Sequence, residues 1–281
     1  MEKRIGPYAG ITGITTLGEL VHCNNTFFEA TKNIHKMLKG ESGLKFMAGI
    51  LVSSKTLSGG TNKYPNRYPP IARVPEICSL NMSHLLRTIH YNTDDASTID
   101  EQVDHVMGLA PKNVDAIQLN IRWVSPVKLQ RVKRKYPDLR VILQIGAGAL
   151  TEVTEPEDIY VGSALRAYDG VVDDFLIDPS GGKGDPLDVW RAFACLADRD
   201  IPPSMRAGAA GGRNADNVRE LKGLMRRYGA IVNMDAEGRL RTPRVGDEGD
   251  LLDLKEADRF IIACVELADE VFCEAVARTT N

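Results

Sequence analysis

DAIQLNIRWVSPVKLQRVKRKYPDLRVILQI, residues 115–145, decides the architecture. Its ends, DAIQLN at 115–120 and RVILQI at 140–145, are short apolar runs of strand length. Between them Val127, Leu129 and Val132 recur with a helical period, and Ser125 ahead of Pro126 supplies a cap oxygen before a residue whose missing N–H costs nothing in a first helical turn. Strand, helix and strand in one stretch make a β/α unit.

Working outward, the same alternation repeats. Strand-like runs occur at 45–53, 86–91, 174–179, 204–210 and 230–235, and YAGITGI at 8–14 adds one more ahead of a helix at about 16–39. Helical spacing links Ile99, Val103 and Val106; Leu187, Trp190 and Phe193; and Val218, Leu221 and Met225. Thr98 with Glu101 has capping-box spacing, and Asp185 precedes Pro186 as Ser125 precedes Pro126. A long helix from about Leu252 to Arg278 seals the last unit. The fold class is therefore α/β, a (β/α)8 TIM barrel, read as one domain over residues 1–281. A doubly wound open sheet also alternates, but the early GxGxxG that often marks one is absent. Residues 53–83, rich in proline and asparagine, read as an irregular loop leaving the C-terminal face after strand two, either a lid with substrate contacts or a surface excursion or partner-binding arm.

Composition excludes several classes. The net charge of -3, from 35 basic and 38 acidic side chains, gives no field for nucleic acid, and the basic run at 128–135 reads as the solvated face of a helix. Cysteines at 23, 78, 195, 264 and 273 have no metal-site spacing and an odd count, so intracellular thiols are expected. No leader or membrane-length apolar run is visible, which points to a cytoplasmic protein without membrane contact. A homo-oligomer is compatible with all of this, and no cofactor or metal is expected.

On a barrel, the strand ends share one mouth, which gathers Thr12, Ser53, Ser54, Asn120, Asp178, Arg206, Gly211, Gly212 and Asp235. FLIDPSGGKG at 175–184 ends an apolar strand on Asp178 and continues into Gly181, Gly182 and Lys183. A carboxyl there either serves as a partly desolvated acid or caps the next turn. AGAAGGRNADNV at 207–218 offers Gly211 and Gly212 for close backbone approach, Arg213 for charge, and a helix start near Asn214, all suited to phosphate, although a tight turn capped by Asn214 explains the same letters. His90 either faces Asp178 across the mouth as a proton carrier or turns outward under a helix. Asp235 and Glu237 would repel phosphate unless they turn away, pair with Arg239 or Arg241, or hold a cation; ordinary loop polarity is the plainer reading.

In order along the chain these pieces resemble the phosphoribosylanthranilate isomerase family. ITGIT at 11–15, DAIQLN at 115–120, FLIDPSGGKG at 175–184 with Trp190 beyond it, and AGGRNADNV at 210–218 are similar to its segments at strands one, four, six and seven. The resemblance implies a phosphorylated sugar-type substrate, Asp178 as general acid, and phosphate at the glycines. It also implies a base at Thr12, where the family carries cysteine, and a histidine where this chain has Asn120. A threonine hydroxyl has no thiolate-like state near neutral pH, so it does not inherit the base's task. Two classes remain: an isomerase-like enzyme with altered substrate or chemistry, and a barrel relative that binds or assembles without catalysis.

Overall fold

A computed structural model of the chain describes residues 6–39, 43–110, 113–155, 158–159, 161–178, 201–245 and 248–279. Eight parallel strands close into a barrel: β1 (Tyr8–Thr12), β2 (Lys45–Ser53), β3 (Leu85–Asn92), β4 (Ala116–Asn120), β5 (Arg140–Gly146), β6 (Asp174–Asp178), β7 (Arg206–Ala209) and β8 (Asn233–Ala236). They follow one another in chain order, and β8 pairs with β1 to complete the ring. Every expected strand is present. The last begins at Asn233 rather than at residue 230 and runs one residue past the expected end, so Asp235 lies within the strand rather than at its tip.

Strand alternation sorts the side chains onto two faces. One set packs outward against the helices in the main core. The other points into the barrel, where Tyr8, Met47, Leu86, Ala116, Ile142, Leu176 and Ala210 form a separate cluster. At the N-terminal ends of the strands Arg140 makes a paired contact with Asp174, which also accepts a hydrogen bond from Asn233 Nδ2 at 2.8 Å. Arg206 opens β7 and lies at this end, so it is not among the mouth residues as expected. Burial, and then the nearby charge of Arg140, lower its pKa.

The helices begin for reasons only partly visible in the letters. α1 (Leu17–Ala30) starts with a capping box in which Thr16 and Glu19 satisfy each other's backbone N–H groups. Thr98 and Ser125 precede α4 (Ile99–Leu109) and α5 (Pro126–Lys135), but neither side chain caps its helix. The Thr98 hydroxyl donates instead to Asp95 Oδ2 at 2.7 Å and accepts from Gln102. The basic face of α5 is paired as well as solvated: Lys128 and Arg131 meet Asp100, and Lys135 meets Asp104. No described helix is long and apolar enough to cross a membrane.

Residues 53–83 contain more order than their letters suggest. Ser53 caps the single turn α2 (Ser54–Leu57), two 3-10 turns follow at Pro65–Arg67 and Ile71–Arg73, and α3 (Val74–Ile77) buries Val74, Ile77 and Cys78 in the main core. Arg67 fixes this excursion over the mouth. It grips both oxygens of Asp250 at 2.8 Å, donates to Glu237 Oε1 at 2.8 Å, and lies 4.1 Å from the Tyr64 ring centre. Breaking a buried pair leaves uncompensated charge. Arg67→Met should therefore lower the unfolding free energy by about 3 kcal/mol in denaturant titration and open residues 58–68 to protease; an unchanged midpoint and cleavage pattern would show that the clasp is not holding.

Candidate active site

The inward side chains nearest the mouth are polar, and they touch. Thr12, the last residue of β1, donates its hydroxyl to Asp235, with both carboxylate oxygens at 3.1 Å. Gly49 makes room for this contact, because a Cβ there would stand 2.6 Å from Thr12 Oγ1 and 2.9 Å from Thr12 Cα. Gly49→Ala must push β1 from β2 or turn Thr12 away, with an expected stability loss of about 1–3 kcal/mol. Thermal unfolding that matched the parent would contradict so tight a fit.

From Asp235 a line of amides crosses the barrel. Gln118 Nε2 on β4 lies 3.5 Å from Asp235 Oδ2 and 3.1 Å from Gln144 Oε1 on β5. Gln144 Nε2 then donates to Asp178 Oδ2 on β6 at 2.8 Å. The two carboxylates thus belong to one hydrogen-bonded chain running across four strands. Asp178 closes its strand and faces this network.

Burial raises the Asp235 carboxyl to about 7. Hydrogen bonds from Thr12 and Gln118 oppose the rise, while the charges of Glu237 and Asp178 add to it. His90 is displaced in the opposite sense: burial lowers it to about 4, against the pull of Asp178, so the ring is neutral at ordinary pH. It lies inside the barrel rather than outward under a helix, with Nδ1 3.4 Å from Gln118 Nε2.

The remaining expected residues fall into three groups. Asn120 ends β4 in register with Asn92 and Gln144, at the rim of the same network. Gly211 and Gly212 follow β7 with φ of 87° and 59°, conformations that favour glycine. Asn214 and its neighbours form a closed turn: its N–H donates to Asn217 Oδ1, and its own Oδ1 accepts from Asp216 and Asn217. Arg213 is turned under that turn, holding Gly211 O, Asn217 O and Glu220, so its guanidinium does not make the expected mouth contact. The 3-10 turn Val218–Glu220 leads into the helix Leu221–Tyr228, so the helix begins later than expected. Gly181, Gly182 and Lys183, with Asp185, Pro186, Trp190 and Cys195, lie outside the described residues.

No described thiol stands in for the base. Cys23 is buried on α1, where burial raises it to about 12, and Cys78, Cys264 and Cys273 lie on or beside other helices. Asp235 and Glu237 are not joined in a metal site: among the described residues no group of His, Cys, Asp or Glu is arranged to hold an ion. Glu237 pairs through its carboxylate with Arg67, while Arg241 donates to the carbonyls of Glu237, Thr12 and Gly13 and so anchors the end of β1. Sequence reading missed Gln118 and Gln144. The signal was available, since each is a polar residue in the middle of a short, otherwise mostly apolar run.

Solved structures share this architecture. Phosphoribosyl anthranilate isomerase from Thermus thermophilus superposes with a TM-score of 0.59 at 17% identity, covering 93% of this chain and 99% of the other. Its fold is that of the phosphoribosylanthranilate isomerases. The isomerase from Thermococcus kodakaraensis gives 0.55 at 15% identity, over 92% of this chain and 98% of its own. A phosphoribosylanthranilate isomerase in complex with reduced 1-(o-carboxyphenylamino)-1-deoxyribulose 5-phosphate gives 0.55 at 16% identity, over 91% and 96%. No family model and no curated protein matches the sequence. The likeness is distant and nearly complete in length, and what it establishes is the fold.

Proposed function

We propose that this barrel is an isomerase-like enzyme acting on a phosphorylated sugar-type substrate, with Asp178 as general acid and Asp235 as general base. The observation that carries the reading is the pair of buried, inward carboxylates joined through Gln144 and Gln118, one of them held at about 7. A carboxylate in that range is basic enough to take a proton from carbon and is still ionised in a useful fraction at neutral pH. Thr12, which hydrogen-bonds Asp235, then positions the base without being one. In an aldose amine, Asp178 gives its proton to the ring oxygen as the ring opens, and Asp235 takes the C2 proton. A proton returned to C1 completes the ketose amine, with C2 oxidised and C1 reduced inside one molecule, so no external oxidant is needed.

The phosphate would lie over the Gly211 and Gly212 N–H groups, in a protein working as one domain in the cytoplasm. Titrating phosphate into labelled protein should shift those two amides first; shifts on another face would withdraw the site. The decisive test is turnover of phosphoribosylanthranilate, paired with rescue of a tryptophan auxotroph lacking that isomerase. Growth that depends on Asp178 and Asp235 is the expected result. The threonine at the position of the family's cysteine favours the second reading, a barrel that binds without catalysing, and folded protein without growth or turnover would select it.

A further inference from the structure

Two atoms beneath the mouth have chemistry that the acid–base pair leaves unused. His90 Nε2 and Gln118 Oε1 are buried without a hydrogen-bond partner, although native proteins satisfy nearly all such atoms. Their opposite ends are fixed. Gln118 Nε2 faces Gln144 Oε1 at 3.1 Å, His90 Nδ1 at 3.4 Å and Asp235 Oδ2 at 3.5 Å. Those neighbours identify this end as the NH2, because a carbonyl there would meet two oxygens. With Nδ1 turned toward a donor, the imidazole hydrogen belongs on Nε2. His90 and Gln118 are register partners on β3 and β4, so a donor and an acceptor, neither with a protein partner, are carried by neighbouring side chains that touch at 3.4 Å.

We infer that His90 Nε2–H and Gln118 Oε1 together hold one hydroxyl of the substrate chain, donating to its oxygen and accepting its hydrogen, and so select hydroxylated chains over their deoxy counterparts. The inference rests on the sugar-phosphate reading above and adds to it the group that is recognised. A hydroxyl is the smallest group that accepts and donates at one atom. A carboxylate would place a third acceptor against Gln118 Oε1 and close to Asp178 and Asp235, and an ammonium group would leave the imidazole N–H unmatched. Burial keeps His90 neutral, with a pKa of about 4, so it acts here as a fixed donor rather than as an acid.

The test is calorimetric titration of the intact protein with ribitol 5-phosphate and its 2-deoxy, 3-deoxy and 4-deoxy analogues. One analogue should bind about 10-fold or more weakly than the parent. In His90→Phe the parent and that analogue should bind alike, with the affinity for inorganic phosphate unchanged. His90→Gln, which restores an N–H donor, should recover part of the discrimination and covers the case in which the phenylalanine variant does not fold. Equal binding of all four compounds to folded wild-type protein overturns the hydroxyl assignment and leaves the sugar-phosphate reading intact. Ribitol 5-phosphate binding no more tightly than inorganic phosphate overturns both.

Discussion

Asp178→Asn should leave the barrel folded and reduce turnover by about 100-fold or more, the usual scale for loss of a positioned acid or base. Asparagine keeps an oxygen to accept the 2.8 Å hydrogen bond from Gln144 Nε2, so the network that orients residue 178 survives the change. What disappears is the proton that can be given to the substrate. Turnover should fall in kcat while inorganic phosphate, proposed above to lie at the glycine turn after β7, binds as before. A variant that loses several kcal/mol of stability while retaining its activity would instead identify Asp178 as a carboxylate that caps local structure.

Asp235→Asn should have an equally large kinetic effect and the opposite effect on stability. Removing the base lowers kcat/KM by about 100-fold or more, and the limb of the wild-type pH profile near 7 should vanish with it. The stability argument follows from the sign of the displacement. The folded protein holds the carboxyl at about 7, above the ordinary 3.8, so folding favours the protonated form. That contribution is fully present below the ordinary value and is lost as pH rises through 7, because ionising a buried carboxyl works against the fold. The difference between the two settings corresponds to about 4 kcal/mol as an upper bound. The amide never ionises, so the variant should be more stable than the parent at pH 8 and close to it at pH 4. Denaturant titrations at the two pH values check this; a variant less stable at pH 8 would mean that Asp235 is ionised and well solvated in the native protein. Loss of activity with a gain in alkaline stability is the pattern expected of a strained catalytic group.

The barrel was legible because its strands carry their own punctuation. Residues such as Val141, Leu143 and Ile145 face the helices, so their runs are apolar whatever lies inside. Helix starts were less legible, since a hydroxyl at an N-cap position takes the best acceptor in reach, and at Thr98 that is Asp95 rather than the backbone. Asp178 was visible because it ends a strand and precedes a glycine-rich stretch. His90 was visible only as two alternatives, and strand register decided between them. Gln118 and Gln144 were overlooked because a glutamine has no titration or ligand preference to draw notice; its role comes from neighbours on other strands. Arg67 and Asp250 stand 183 residues apart, and no local pattern links them. The link from Thr12 to Asp235 was hidden for a related reason: the carboxylate that Thr12 hydrogen-bonds reaches it from the far end of the sequence.

That last contact also sets when the site can exist. The ring closes between β1 and β8, and Tyr8 N–H reaches Asn233 Oδ1 across 225 residues of chain. On a ribosome, β1 emerges long before its partner, by tens of seconds at about 5–20 residues per second. Throughout that interval one edge of the growing sheet has no neighbour, and closing so long a loop is slow because its entropy is lost before the contacts form. Thr12 and Asp235 sit on the two strands that meet last. The nascent chain therefore has no Thr12–Asp235 contact until the ring is shut, and the hydrogen-bonded line from Thr12 to Asp178 is assembled only as folding is completed.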